Sequence, residues 1–249
     1  MTIHRSVTIG VLALQGAFRE HIAYFKHLIE SNPDEYAVYD FDIKEVRTKE
    51  DLELCDSLVI PGGESSSMSY IAERTELLPH LYKFVSDESK SVWGTCAGLI
   101  FLSKQLINGI ENQRILGALD IEVSRNAFGR QIDSFEQSLD FSSFIPGCTA
   151  FPTVFIRAPV VTKILKQKDS LKEGVIRSNN SYQNQAPVKV LYSLKNYDGK
   201  DHELIVAVQQ GHILGTSFHP ELAEDYRFHK WFLDEFVIKK LQQYIDRII

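Results

Sequence analysis

The amino-acid sequence predicts an α/β protein: a mostly parallel sheet covered by helices on both faces, three layers in a single domain spanning 1–249. Three observations predict it. Short apolar runs alternate with helical patterns through the first half, the second half is richer in strand, and the chain closes on an amphipathic helix. Hydrophobic residues make up 44% of the 249 and charged residues 24%, enough apolar material for a sizeable core.

The elements follow in order. Residues 7–14 form an unbroken apolar run, the pattern of a strand buried on both faces. A helix over 16–30 carries Phe18, Ile22, Phe25 and Ile29 at three-to-four spacing. Residues 36–46 have strand character, 50–54 a short helical pattern, and 57–60 are a second apolar strand, closed by the loop Pro61-Gly62-Gly63-Glu64-Ser65-Ser66-Ser67. Helical patterns over 68–73 and 77–85 precede a strand ending at Trp93 and a helix that takes in 99–102. Further strands are expected over 116–123, 153–159, 188–194, 203–209 and 212–218, the last two as a hairpin turning near Gln210-Gly211. The closing helix places Phe228, Phe232 and Phe236 on one stripe, with Leu241, Ile245 and Ile248 further on; an aromatic stripe at this spacing belongs to a core. The lysines, serines and asparagines of 166–187 read as a solvated surface insertion.

A net charge of −6 and a pI near 5.8 argue against a nucleic-acid partner, which needs concentrated basic surface. No basic amphipathic stretch suggests a membrane surface, and no apolar run is long enough to cross one. The first residues lack the pattern of a secretory leader. Three scattered cysteines, Cys55, Cys96 and Cys148, suit neither a disulfide framework nor a zinc site. The expectations are a cytoplasmic protein, with no metal and no cofactor.

Gly94-Thr95-Cys96-Ala97-Gly98 joins a strand to a helix with the spacing of a nucleophile elbow, Gly-x-Nuc-x-Gly, whose small neighbours let the backbone turn sharply. A thiol at the start of a helix is favoured as thiolate, and the Ala97 amide that follows is placed to serve an oxyanion hole. Far downstream, His219-Pro220-Glu221 supplies a base and a carboxylate two residues apart, on one face if the segment is extended. Cysteine, histidine and glutamate in that order make an acyl-transfer triad. The bland alternative, a buried structural cysteine and an unrelated loop histidine, must explain two independent coincidences. Taken alone, Gly62-Gly63 reads as a plain turn; beside a cysteine elbow it is a plausible oxyanion strand.

Pro61-Gly62-Gly63-Glu64-Ser65, the Cys96 elbow and His219-Pro220-Glu221 resemble the three signatures of class I, triad-type, glutamine amidotransferases. The segments Gly10–His21, Arg125-Asn126-Ala127-Phe128-Gly129-Arg130-Gln131, Phe155-Ile156-Arg157-Ala158-Pro159 and Ser217-Phe218-His219-Pro220-Glu221-Leu222 are similar to the glutaminase subunit of pyridoxal 5′-phosphate synthase, the PdxT/SNO family. The resemblance runs from about Val7 to Trp231. It implies a flavodoxin-like amidotransferase fold, hydrolysis of L-glutamine to glutamate and ammonia, and a partner synthase that uses the ammonia to build the vitamin B6 cofactor. It further implies Cys96, His219 and Glu221 as the triad, and Gly62, Gly63 and Ala97 around the oxyanion. Gly63, Glu64, Ser65, Arg125, Ile156 and Arg157 would contact glutamine, and a planar guanidinium suits a carboxylate. Read without the family, either arginine is more often a surface or ion-pair residue. The Leu14-Gln15-Gly16 turn is expected on the same rim, as a relay from a docked synthase to Gly62-Gly63. Three other readings stay open on these residues: a non-catalytic regulatory subunit, a class I glutaminase serving another synthase, and a cysteine hydrolase of esters.

Overall fold

Parallel strands buried on both faces organise the half of the molecule that carries the elbow. The computed structural model describes residues 5–125, 134–166, 174–195 and 203–246. Strand β1 (Arg5–Leu12) leads to α1 (Phe18–Ser31), a helical turn α2 (Pro33–Tyr36), β2 (Tyr39–Val46), α3 (Lys49–Glu53) and β3 (Ser57–Ile60). Helices α4 (Ser65–Arg74) and α5 (Leu78–Val85) precede β4 (Ser91–Thr95) and the short α6 (Ala97–Leu102). Side chains alternate across these strands: Leu58, Ile60, Val92 and Ile213 join one core with Met68, Leu81 and Phe101, while Val59, Trp93 and Leu214 join the other with Phe25, Phe228 and Phe232. Two cores, one on each side of one sheet, make the three layers.

The second half adds β5 (Ser103–Ile107), β6 (Leu119–Ser124), β7 (Ser134–Leu139), β8 (Phe151–Ile156), β9 (Val160–Ile164), β10 (Ile176–Arg177), β11 (Val188–Lys195), β12 (Glu203–Gln210) and β13 (Ile213–Thr216). The main sheet runs β10-β5-β6-β9-β12-β13-β4-β3-β1-β2, with β11 also paired to β12. From β2 to β13 it is parallel throughout. The β12–β13 hairpin turns at the expected Gln210-Gly211, and beyond it β9 and β6 pair antiparallel. Strands β7 and β8 form a separate antiparallel pair. The sheet is therefore mixed, with its parallel part under the elbow.

Several expectations shift. The first strand stops at Leu12 and its helix starts at Phe18; residues 33–36, partly assigned to a strand, form a turn of helix begun by Pro33. The strand expected over 153–159 lies at Phe151–Ile156. Strands β5, β7, β9 and β10 were not foreseen: Ser103–Ile107 and Ser134–Leu139 carry mixed, largely polar side chains, and pairing across the sheet makes them strands.

The closing segment holds α7 (Arg227–Phe232), a π-helical stretch at Leu233–Ile238 and α8 (Lys239–Asp246); Phe228, Phe232 and Phe236 are buried as the stripe predicted. The side chain of Ile245, and Ile248 itself, lie outside the described residues, as do 126–133 and 167–173. Within the stretch read as an insertion, Ser178 Oγ donates to Ile115 O (2.8 Å), Asn180 Nδ2 to Leu116 O (3.0 Å) and Asn184 Nδ2 to Gln210 O (3.2 Å). These bonds fasten 178–184 along the edge of the fold.

No described helix is long and apolar enough to cross a membrane, and the described residues hold no cluster of histidine, cysteine, aspartate or glutamate suited to a metal.

Candidate active site

Cys96 ends β4 with φ +48° and ψ −101°, a conformation that costs a non-glycine residue on the order of 1–3 kcal/mol. Local packing holds it there. Its N–H donates to Thr216 O of the adjacent strand (2.8 Å), and its carbonyl accepts from Ile100 N (3.2 Å), the first turn of α6. The flanking glycines are required by close approach: a Cβ on Gly98 would sit 2.0 Å from Ile60 O, and one on Gly94 would sit 2.6 Å from Gly98 C. The elbow expected from spacing is thus a strained turn against β3 and β13.

His219 follows β13 and is anchored by its N–H donating to Val154 O of β8 (2.8 Å). Its Nδ1 lies 2.8 Å from Glu221 Oε1. The segment is not extended, as the i, i+2 reasoning assumed. Pro220–Leu222 is a 3-10 turn, and that turn, started by the fixed φ of Pro220, brings Glu221 back to the ring. With Nδ1 committed to the carboxylate, Nε2 remains for the Cys96 sulfur, one of the groups that raise the pKa of the ring. Burial opposes the charged ring, but the bonds to Cys96 and Glu221 outweigh it and raise its pKa well above the ordinary value. Burial likewise pushes Glu221 upward, and the neighbouring His21 and His219 more than offset it, so its carboxyl stays below the usual range. Cysteine, imidazole and carboxylate come together from positions more than a hundred residues apart.

The loop after β3 passes directly over this pair. A Cβ on Gly62 would lie 2.2 Å from His219 Cε1, and Gly63, at φ +141°, would drive one to 1.9 Å from Gln15 Oε1. Gln15 Oε1 accepts from Glu64 N (2.7 Å), and Ala17 N donates to Gly62 O (3.3 Å). The Gln15 turn and the glycine strand therefore interlock. Ala97, the first residue of α6, is buried beside the sulfur.

Glu64 caps α4, accepting from Ser66 N (3.1 Å) and Ser67 N (2.6 Å). Burial raises its pKa, but hydrogen bonds from Ser66 and Ser67 prevail and leave it at about 2. Its carboxylate also pairs with Arg125 (3.0 Å), an ion pair across 61 positions, so Arg125 reaches this rim. Ser65 is buried, its Oγ accepting from Gln113 Nε2 (3.1 Å). The carbonyl of Ile156 lies 3.9 Å from Cys96 Sγ, and Arg157 follows at φ +41° with its side chain exposed.

Gln113 and His229 fall in no quoted motif, and Thr95 and His21, though inside quoted segments, were given no role; only the packing of α1, β4 and α7 brings His21, Thr95 and His229 together. The cysteines separate clearly. Burial pushes Cys55 up to about 12 and raises Cys148 as well, and neither pKa has a histidine among its causes.

Comparison with known proteins identifies the family. Residues 11–238 match the SNO glutamine amidotransferase family. The chain is 53% identical over 231 residues to pyridoxal 5′-phosphate synthase subunit SNO1 of Saccharomyces cerevisiae, covering 92% of each chain. It is 40% identical over 226 residues to pyridoxal 5′-phosphate synthase subunit PdxT of Thermus thermophilus, covering 91% of this chain and 96% of that one. A crystal structure of a glutamine amidotransferase superposes with a TM-score of 0.67 at 39% identity, covering 91% of this chain and 97% of the other. Matched over residues 11–238 and at 53% identity over 231 residues, the chain belongs to the SNO glutamine amidotransferase family.

Proposed function

We propose that this chain is a glutaminase that hydrolyses L-glutamine to L-glutamate and delivers the ammonia to a pyridoxal 5′-phosphate synthase partner for vitamin B6 biosynthesis. The observation that carries the reading is the His219–Glu221 pair at 2.8 Å, its ring pKa raised by the strained Cys96 and by Glu221. The relatives named as synthase subunits, matched over nearly their whole length, support the partner. Cytoplasmic localisation is part of the same reading, since a reactive thiol among three free cysteines suits a reducing compartment.

His219 Nε2 takes the thiol proton and the sulfur attacks the side-chain carbonyl carbon of glutamine. The oxyanion meets the Ala97 N–H and amides of the Gly62-Gly63 strand. The imidazolium returns its proton to the leaving nitrogen, releasing ammonia and a thioester on Cys96. Water, deprotonated by the same ring, then releases glutamate and restores the thiol. Glu221 holds the tautomer and balances the ring's charge in both halves. Gly63, Glu64, Ser65, Arg125, Ile156 and Arg157 are assigned to glutamine. In this arrangement Glu64 already neutralises Arg125, so substrate must share or displace that ion pair.

The interlocked Gln15 and Gly62-Gly63 segments suit a gate worked by the docked synthase, because rotating one glycine peptide adds or removes an oxyanion donor worth roughly 10²–10³ in rate. Glutamate release at saturating glutamine is expected to be slow for the isolated chain and to rise by about that factor when pyridoxal 5′-phosphate synthase is added. Equal kcat with and without synthase would remove the gate. No release in either state would favour a regulatory subunit.

A diazo-ketone analogue of glutamine is expected to alkylate Cys96 and spare Cys55 and Cys148, both buried and both raised in pKa. Peptide mapping by mass spectrometry reads the outcome, and labelling centred on either of the other two would contradict the assignment of the nucleophile.

A further inference from the structure

We infer that His21 is a positioning residue for the reaction, holding through its Nε2–H the carboxylate oxygen of Glu221 that His219 leaves free; the inference rests on the glutaminase reading above. Glu221 is almost wholly buried, and only its Oε1 is engaged by His219. Its Oε2 has no settled hydrogen bond, and His21 Nε2 stands 3.4 Å away. A buried carboxylate oxygen without a donor is costly, and this imidazole, fully buried on α1, faces it. The contact is about 0.5 Å longer than an ordinary N–H···O bond, the looseness common before substrate binds and tightens a site.

Donor and acceptor roles in the cluster follow from its own chemistry. His21 Nδ1 lies 2.9 Å from His229 Nε2, and both rings are held neutral, chiefly by burial. A neutral imidazole has one donor and one acceptor nitrogen. If His21 donated from Nδ1, its Nε2 would turn a lone pair on the carboxylate. The favourable order runs the other way: His229 Nε2–H donates to His21 Nδ1, which leaves His21 Nε2–H for the Thr95 hydroxyl and Glu221 Oε2, each 3.4 Å away. His229 Nδ1 is then a bare acceptor, and it is the ring nitrogen that lacks a partner. Trp93 and Phe25 fix the rings: Trp93 meets His21 edge-on at 5.5 Å and His229 at 5.1 Å, and Phe25 meets His229 at 5.1 Å. The line His229, His21, Glu221, His219, Cys96 thus joins α7 and α1 to the elbow, and within it His21 and Glu221 keep the base oriented without touching substrate.

The test is steady-state glutamine hydrolysis in the complex with synthase, with melting curves for every variant. His21→Leu is expected to lower kcat about 10- to 100-fold, the scale of one hydrogen bond to a charged group, with KM little changed. His21→Gln, whose amide nitrogen falls near the imidazole Nε2, is expected to recover most of the loss, and His21→Asn, which is too short, is not. On a Glu221→Gln background, His21→Leu is expected to add no further loss in kcat, since its partner is already gone. A purely packing role would lower kcat on both backgrounds alike, would leave Gln no better than Asn, and would overturn the inference. If the Leu variant fails to fold, the Gln and Asn pair carries the same decision. A wild-type complex that releases no glutamate would overturn the glutaminase reading itself and this inference with it. An active wild type with a fully active His21→Leu overturns the inference alone.

Discussion

Cys96→Ala is expected to abolish glutamine hydrolysis and leave the fold intact. The side chain is small and nearly buried, and the elbow is held by backbone bonds to Thr216 and Ile100 that alanine keeps. Alanine at φ +48° meets the same backbone strain as cysteine, so the melting temperature should move by only a few degrees. What disappears is the atom that forms the thioester, and no other cysteine can replace it, since Cys55 and Cys148 lie buried elsewhere in the two cores. Loss of a covalent nucleophile in a concerted triad lowers kcat by roughly four to six orders of magnitude. The measurement is glutamate release in the presence of the synthase partner. Activity within tenfold of wild type would end the assignment of Cys96 as nucleophile.

His219→Asn is expected to be nearly as severe, and the Cys96→Ala, His219→Asn double variant no worse than Cys96→Ala alone, because members of a catalytic unit do not contribute additively. In the proposed mechanism the ring takes the thiol proton and protonates the leaving nitrogen, and an asparagine amide can do neither. Glu221→Gln should be milder but still large, up to about 10⁴ in kcat, since the amide no longer balances the imidazolium and can present its NH₂ to Nδ1 in place of an acceptor. The 2.8 Å bond and the raised pKa of His219 make this the sensitive link. Single-turnover measurements with glutamine would separate the two halves: a variant that forms thioester at the normal rate but fails to hydrolyse it would place His219 in the second half alone.

Much of the candidate site was legible because its chemistry is packed into short segments. Gly94-Thr95-Cys96-Ala97-Gly98 predicts a sharp strand-to-helix turn from residue size alone, and the structure explains both glycines by contacts under 3 Å. His219-Pro220-Glu221 reveals its pair by proximity in sequence, although the conformation that joins them is a 3-10 turn and not an extended face. The Gly62-Gly63 strand was weak by itself, and its passage over the His219 ring is a tertiary fact.

The apolar runs at β1, β3, β4 and β13 announced strands buried on both faces, and hence a parallel sheet between two helical layers, because side-chain hydrophobicity and local backbone preference act over a few residues and can be read along the chain. Other features depend on what lies across space. β5 and β7 become strands only through their partners, β8 brings the Ile156 carbonyl within 3.9 Å of the thiol, and Arg125 finds Glu64 across 61 positions. His21, one polar residue on an ordinary amphipathic helix, acquires its place beside Glu221 from the packing of α1 against the elbow strand and α7. Sequence alone determined the fold class and pointed to the proposed reacting groups, since each is written in neighbouring residues. The tertiary structure decided which distant side chains lie beside those groups, because burial and hydrogen-bond geometry arise only when separate segments close around them.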